Sequence, residues 1–273
     1  MEHRNRHHNV TGGVGSAILL GLTIGFSLHL QGQENPVRSN PKADAARIPF
    51  VGCNADGQVG PLPPPSGSEK EVQVPASIAK KLAYYKSEAT SGVLAPRGWY
   101  CFGAYGSSGA TLFAAPEPFQ MDPDHPFAGF SKGFMGPVIE LEDTEAGGSG
   151  SYGVARVLAH AFPRQKGFME GVKRDIQDMV ELARDLEVGP YPGDRLVRKT
   201  DQIVEFRTPP HSEGLGTLGR LKKDRGWIDG VALIQRPTPN LRFLNVRLPP
   251  VMGYLSNYIV RQVELEWNQD SAK

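Results

Sequence analysis

Apolar residues change their spacing several times along this chain, and each change marks a different element. Residues 10–30 contain no Asp, Glu, Lys or Arg and follow neither the helical nor the strand period of a surface element. Pro75 suits a first helical turn. Ile78, Leu82 and Tyr85 follow it at spacings of four and three, predicting a helix that reaches Lys86. Residues 98–104 and 110–115 alternate as two strands around a four-residue loop, Gly106-Ser107-Ser108-Gly109, and that turn sets Phe102 opposite Phe113 in the core. Residues 137–141 read as a short strand and residues 203–207 as a further extended segment. Between them Ser151 is placed to cap a helix that Pro163 ends. A second helix is expected over residues 166–186, weakened at its start by Gly167 and Gly171.

The C-terminal third carries the clearest pattern. Residues 231–236 and 241–248 flank Pro237, Thr238, Pro239 and Asn240 as a second hairpin. Leu244, Val246 and Leu248 alternate with Asn245 and Arg247, the signature of a sheet with one face in water. Val251, Leu255, Ile259 and Val263 then recur every four residues behind Pro249 and Pro250, an amphipathic helix fit to cover that sheet. Hairpins packed against a few helices, with no regular βαβ repeat, argue for an α+β fold.

The N-terminus changes the picture of where the chain works. His3, Arg4, Arg6, His7 and His8 precede the uncharged run, giving the cationic and apolar parts of an export signal. No A-x-A cleavage box follows; the least poor cut lies after Gly32. An uncleaved anchor is the rival, since about 20 apolar residues span a bilayer, and a buried core helix is the third alternative. In either export case Arg4 and Arg6 stay on the cytoplasmic side. The expected organisation is a signal peptide or N-terminal membrane anchor over residues 1–32, a disordered tether over 33–48 carrying Pro36 and Pro41, and one globular exported domain over 49–273. Residues 57–68 form a stiff Gly- and Pro-rich surface loop. The two cysteines, Cys53 and Cys101, both fall in the exported part, and an even count in an oxidising compartment predicts one disulfide between them.

Charge excludes more than it identifies. The chain carries 30 basic and 29 acidic residues, a formal +1, so a polyanion is disfavoured as a partner and nucleic-acid binding with it. Membrane contact is expected only through the N-terminal segment.

Candidate chemistry is sparse. Gly214-Leu-Gly216-Thr-Leu-Gly219 is a literal G-x-G-x-x-G, yet Thr208 to Glu213 before it is not an apolar strand, and Gly226 follows within seven residues. The dinucleotide context fails. A weaker reading keeps Gly214, Gly216 and Gly219 as a backbone cradle, with Arg220, Lys222, Lys223 and Arg225 on its rim for an anionic ligand or acidic partner. Trp99 and Tyr105 lie on one face of the first hairpin with Cys101, either packed beneath the Pro-rich loop or exposed as an aromatic ledge. For hydrolysis, His211 in a polar loop is the best general base, with Ser107 or Ser108 as the nucleophile; no G-x-S-x-G is present. His125 is a further histidine of the exported part, and His160 reads as a half-buried helix residue. Glu140 and Glu142 share a strand face and offer an acid/base pair, which adjacent positions on a solvated edge explain more simply. Asp122 and Asp124 lack calcium-loop spacing, and with no HExxH or CxxC no metal site and no cofactor is expected. The sequence therefore favours a non-enzymatic binding or interaction domain for an envelope protein or small ligand. An envelope-directed hydrolase with a Ser/His site is the alternative.

Overall fold

Two β-sheets organise the chain, and strict alternation along the longer strands sets how they layer. The computed structural model describes residues 45–119, 132–187 and 189–270. The smaller sheet takes β1 (Ala45–Cys53), β3 (Glu69–Gln73), β4 (Leu82–Ser87) and β5 (Val93–Pro96) in the order β3-β1-β4-β5. The larger sheet takes β2 (Ala55–Gly57), β6 (Tyr100–Gly106), β7 (Gly109–Ala115), β8 (Val138–Thr144), β9 (Arg195–Arg198), β10 (Ile203–Thr208), β11 (Ile228–Ile234) and β12 (Leu241–Arg247). Its order is β2-β6-β7-β8-β12-β11-β10-β9. Neighbours are antiparallel except β1 with β4 and β2 with β6, so both sheets are mixed and the fold is α+β. All described residues fall in one compact unit.

Because side chains alternate, each face of the eight-stranded sheet is a separate core. On one face Leu112, Ile139, Leu141, Val231, Leu233 and Leu244 pack against the smaller sheet and the C-terminal helix α5 (Ser256–Asp270). On the other, Val204, Phe206, Ala232 and Phe243 pack beneath α2 (Gly150–Ala161), whose Val154, Val157, Leu158 and Ala161 form its buried stripe. Further along that face Phe113, Val138 and Ile228 close on Leu221 and Phe134.

Both hairpins form, the second with Ile234 opposite Leu241 and a loop longer than the expected Pro237 to Asn240. Phe102 pairs with Phe113, although Gly106 pairs with Gly109 and shortens the loop to Ser107 and Ser108. Cys53 and Cys101 are joined in a disulfide, Cα to Cα 5.4 Å, which ties β1 of one sheet to β6 of the other. The disulfide is consistent with an oxidising compartment. It closes a sequence separation of 48 residues, and on a chain-entropy model stabilises by about 4 kcal/mol.

Several expectations are corrected. The helix through Tyr85 is a single turn, α1 (Ala76–Ala79); Leu82 to Ser87 is instead strand β4. Leu82, Ala83, Tyr84 and Tyr85 are all buried, and a strand covered on both sides loses the alternation that would have marked it. Ordered strand begins at Ala45, inside the segment read as tether, with Ile48 fully buried. The second long helix breaks into α3 (Lys166–Asp175) and α4 (Val180–Arg184). At the C-terminus residues Pro250–Leu255 are a 3-10 turn before α5. Leu255, Ile259 and Val263 are buried as expected, but Val251 is 79% exposed and Trp267 extends the stripe in its place. The wet face is also absent: Asn245 and Arg247 are as buried as Leu244.

The signal or anchor segment, the tether up to residue 44, and Asp122, Asp124 and His125 lie outside the described residues. Among the described residues no helix is long and apolar enough to cross a membrane.

Candidate functional site

The buried polar face of the large sheet is where chemistry concentrates. Register places Thr111, Glu142 and Phe243 in one cross-strand row, and Phe113, Glu140, Asn245 and Gly230 in the next. Glu140 is 1% exposed. Its two carboxylate oxygens accept the Arg220 backbone N–H at 2.9 and 3.1 Å, and Oε2 also accepts from Asn245 Nδ2 at 3.0 Å. Burial is the main cause that lifts its pKa from an ordinary 4.5 to about 7, with the neighbouring Glu142 adding to the rise and the Arg220 N–H opposing it. Glu142 is partly exposed, accepts a hydrogen bond from the Thr144 hydroxyl through Oε1, and is also raised by burial. The charges of Arg220 and Arg156 work against that rise.

Glu140 and Glu142 therefore do not sit on a solvated edge. They line a cleft of about 320 Å³ between the sheet, α2 and the Gly-rich loop. Central strand β8 has partners on both sides and a helix above it, and that covering turns a polar strand face into a cavity wall.

The Gly-rich loop has a different use from the one its motif advertises. Its backbone donors are already occupied: Leu215 N–H goes to Asp194 Oδ2 at 2.7 Å, Gly216 N–H to Thr208 Oγ1 at 3.0 Å, and Arg220 N–H to Glu140. A Cβ at Gly219 would overlap the Glu140 carboxylate, and one at Gly214 the Asp194 carboxylate. The glycines let the loop lie against buried acids of the protein itself. They leave no backbone cradle for an anion. Of the basic rim, Lys223 is held by Glu213 at 2.7 Å, and Lys222 and Arg225 do not line the cleft. Arg220 lines it, and among the described residues its exposed guanidinium has no ion-pair or hydrogen-bond partner.

Sequence reasoning missed the residue that faces Arg220. Arg156 on α2 lines the same cleft, and its Nε is buried with no hydrogen-bond partner; the nearest carboxylate oxygen, Asp185 Oδ2, is 3.7 Å away. The available signal was an arginine between the buried Ala155 and Val157 of an otherwise apolar helix. Asn245 and Arg247 were missed in the same way. Arg247 donates to the Phe134, Gly136 and Lys222 carbonyls and so fastens the two loops that flank the site.

The remaining candidates are not brought together. Trp99 is half-buried against the core, and the Tyr105 hydroxyl donates to the Gly60 carbonyl, so both aromatics serve packing of the Pro-rich loop and the disulfide rather than a ledge. His211 sits exposed in a left-handed turn at φ 59°, following β10, at the same end of the sheet as Val138 of β8. Ser107 and Ser108 turn at the Thr144 end of the same strand. The seven residues of β8 lie between them, roughly 20 Å at about 3.4 Å per residue. A Ser–His pair does not assemble across that distance. His160 stacks on Tyr191 with ring centroids 4.0 Å apart, and its Nδ1 lies 2.6 Å from the Gly189 carbonyl. Among the described residues no group of three or more His, Cys, Asp or Glu is disposed to hold a metal ion.

Comparison with protein-family models, curated proteins and solved structures found no match for this chain.

Proposed function

We propose that this chain is an exported binding protein, periplasmic or secreted, that holds a small polar ligand in the cleft between β8, α2 and the Gly-rich loop. One observation carries the reading. Two guanidinium groups from different elements, Arg156 and Arg220, meet at a cavity without a hydrogen-bonded acid between them, beside the partly exposed Glu142. The buried Arg156 Nε has no hydrogen-bond partner, and a buried donor left unpaired is costly unless a bound molecule or water completes it. The disulfide and the N-terminal sequence support action outside the cytoplasm.

The test is a thermal-shift screen of small polar metabolites on the wild-type chain and on the Arg156→Gln/Arg220→Gln variant. A ligand at a hundred times its Kd stabilises the native state by about 2.7 kcal/mol. The expected result is at least one compound that raises the wild-type Tm and leaves the double variant unmoved. Stabilisers acting equally on both proteins would remove the cleft from consideration.

A further inference from the structure

Resting on that reading, we propose that the cleft ligand is a free α-amino acid, its carboxylate held by Arg156 and Arg220 and its ammonium by Glu142. Open valences at the cavity wall distinguish its charged groups. Glu140 has none to offer, because both its oxygens are committed to the Arg220 N–H and to Asn245. Glu142 uses Oε1 for the Thr144 hydroxyl, and its Oε2 takes no hydrogen bond from any described residue. Glu142 lines the cavity, and that oxygen is the acceptor it has left there. Arg156 Nε is a buried donor with no hydrogen-bond acceptor, Asp185 Oδ2 lying 3.7 Å away, and the exposed Arg220 guanidinium makes no hydrogen bond with a described residue while its charge acts on Glu142.

Charge complementarity then discriminates between ligand classes. A simple anion satisfies the arginines but sets its charge against the Glu142 carboxylate. A simple cation satisfies Glu142 but sets its charge against Arg156 and Arg220. A neutral sugar satisfies hydrogen bonds but none of the charges, in a site where desolvation makes charge expensive. A molecule with a carboxylate and an ammonium a few bonds apart answers all three. Size agrees: about 320 Å³ is near the lower end of ligand cavities, suited to a molecule of a few heavy atoms. Val157, Leu218 and Phe243 supply an apolar wall for a short side chain.

The experiment is calorimetric titration of the full-length chain. The twenty proteinogenic amino acids are tried first, then the N-acetyl derivative and the amide of the best binder, and glucose as the neutral control. The expected result is binding of at least one free amino acid, with acetylation and amidation each weakening it tenfold or more. Glu142→Gln should remove the preference over the N-acetyl form, and Arg220→Gln the preference over the amide. Arg220 is exposed on a loop, so its variant keeps the test valid should Glu142→Gln disturb folding. Equal binding of the free and N-acetylated forms would overturn the ammonium contact and with it the proposal. Arg156-dependent binding of glucose alone would overturn the amino-acid class while leaving the cleft as the site. Were no amino acid to bind, the proposal fails; the metabolite screen above then decides separately whether the cleft binds anything at all.

Discussion

The two faces of the eight-stranded sheet share one alternation pattern and fill it with opposite chemistry. On the face toward α5, Leu244 and Val246 of β12 meet Leu141 and Ile139 of β8 in an apolar cluster, with the Arg242–Asp143 ion pair beyond it toward the Thr144 end of β8. On the face toward α2, the intervening residues of the same two strands are Asn245 with Glu140, and Phe243 with Glu142. Both faces are dry. Apolar burial is non-directional and tolerates small shifts, whereas each buried polar atom needs a partner at hydrogen-bond distance or its desolvation goes uncompensated. The first face supplies cohesion. The second fixes where the Gly-rich loop lies, through Glu140 and the Arg220 N–H, and leaves Arg156 Nε unpaired at the cleft.

Substitutions on the two faces should therefore fail differently. The largest loss is expected on the apolar face, where Leu244→Ala should cost about 2–5 kcal/mol in chemical denaturation, from lost burial and the cavity left behind, at any pH where the protein is folded. A loss under about 1 kcal/mol would mean that this face is not the cohesive one.

The polar face should respond to pH. Glu140 has its folded pKa raised to about 7, so the folded state holds its proton more tightly than the unfolded chain. Its contribution is fully present below about pH 4.5 and is lost as pH rises toward 7, by about 3 kcal/mol in all. Glu142 and Glu264 shift in the same direction and add to the decline. Glu140→Gln removes the largest share: relative to wild type, the variant should gain about 3 kcal/mol between pH 4.5 and pH 8, measured by urea denaturation across that range. The Asn245 amide can turn to present Oδ1, an atom without a partner at present, to the new Gln amide. A constant difference at every pH would show that Glu140 is not buried as an acid.

Gly219→Ala places a methyl group against the Glu140 carboxylate and should cost about 1–3 kcal/mol, as overpacking does. Hydrogen exchange should register it as faster exchange at the Arg220 amide, with β12 amides unaffected. The smallest effect belongs to Val251→Ala, within about 0.5 kcal/mol, because that side chain is exposed and outside the helix stripe.

How much of this could be read in advance follows from the range of the interactions. The hairpin pairing Phe102 with Phe113, the Cys53–Cys101 disulfide and the stripe Leu255, Ile259, Val263 were legible because a local turn, a count of two and a regular period determine them. Strand β4 was read as helix because burial on both sides erased its alternation, leaving only a chance spacing of Ile78, Leu82 and Tyr85. Glu140, Asn245 and Arg247 looked solvated because polar residues on a strand mark the wet face unless another layer covers it, and the covering helix α2 belongs to a separate stretch of chain. Arg156 acquires meaning only beside Arg220 and Glu142, neighbours that tertiary folding provides. The packing role of the Gly-rich motif required knowing that an acid 79 positions earlier than Gly219 would lie beneath it.

The most direct test of a sealed polar face is the titration of the Glu140 side chain itself, followed by carboxyl ¹³C NMR on the selectively labelled full-length chain. The account predicts a midpoint near pH 7, moved up by burial. A midpoint near the ordinary 4.5 would place Glu140 in water and contradict it.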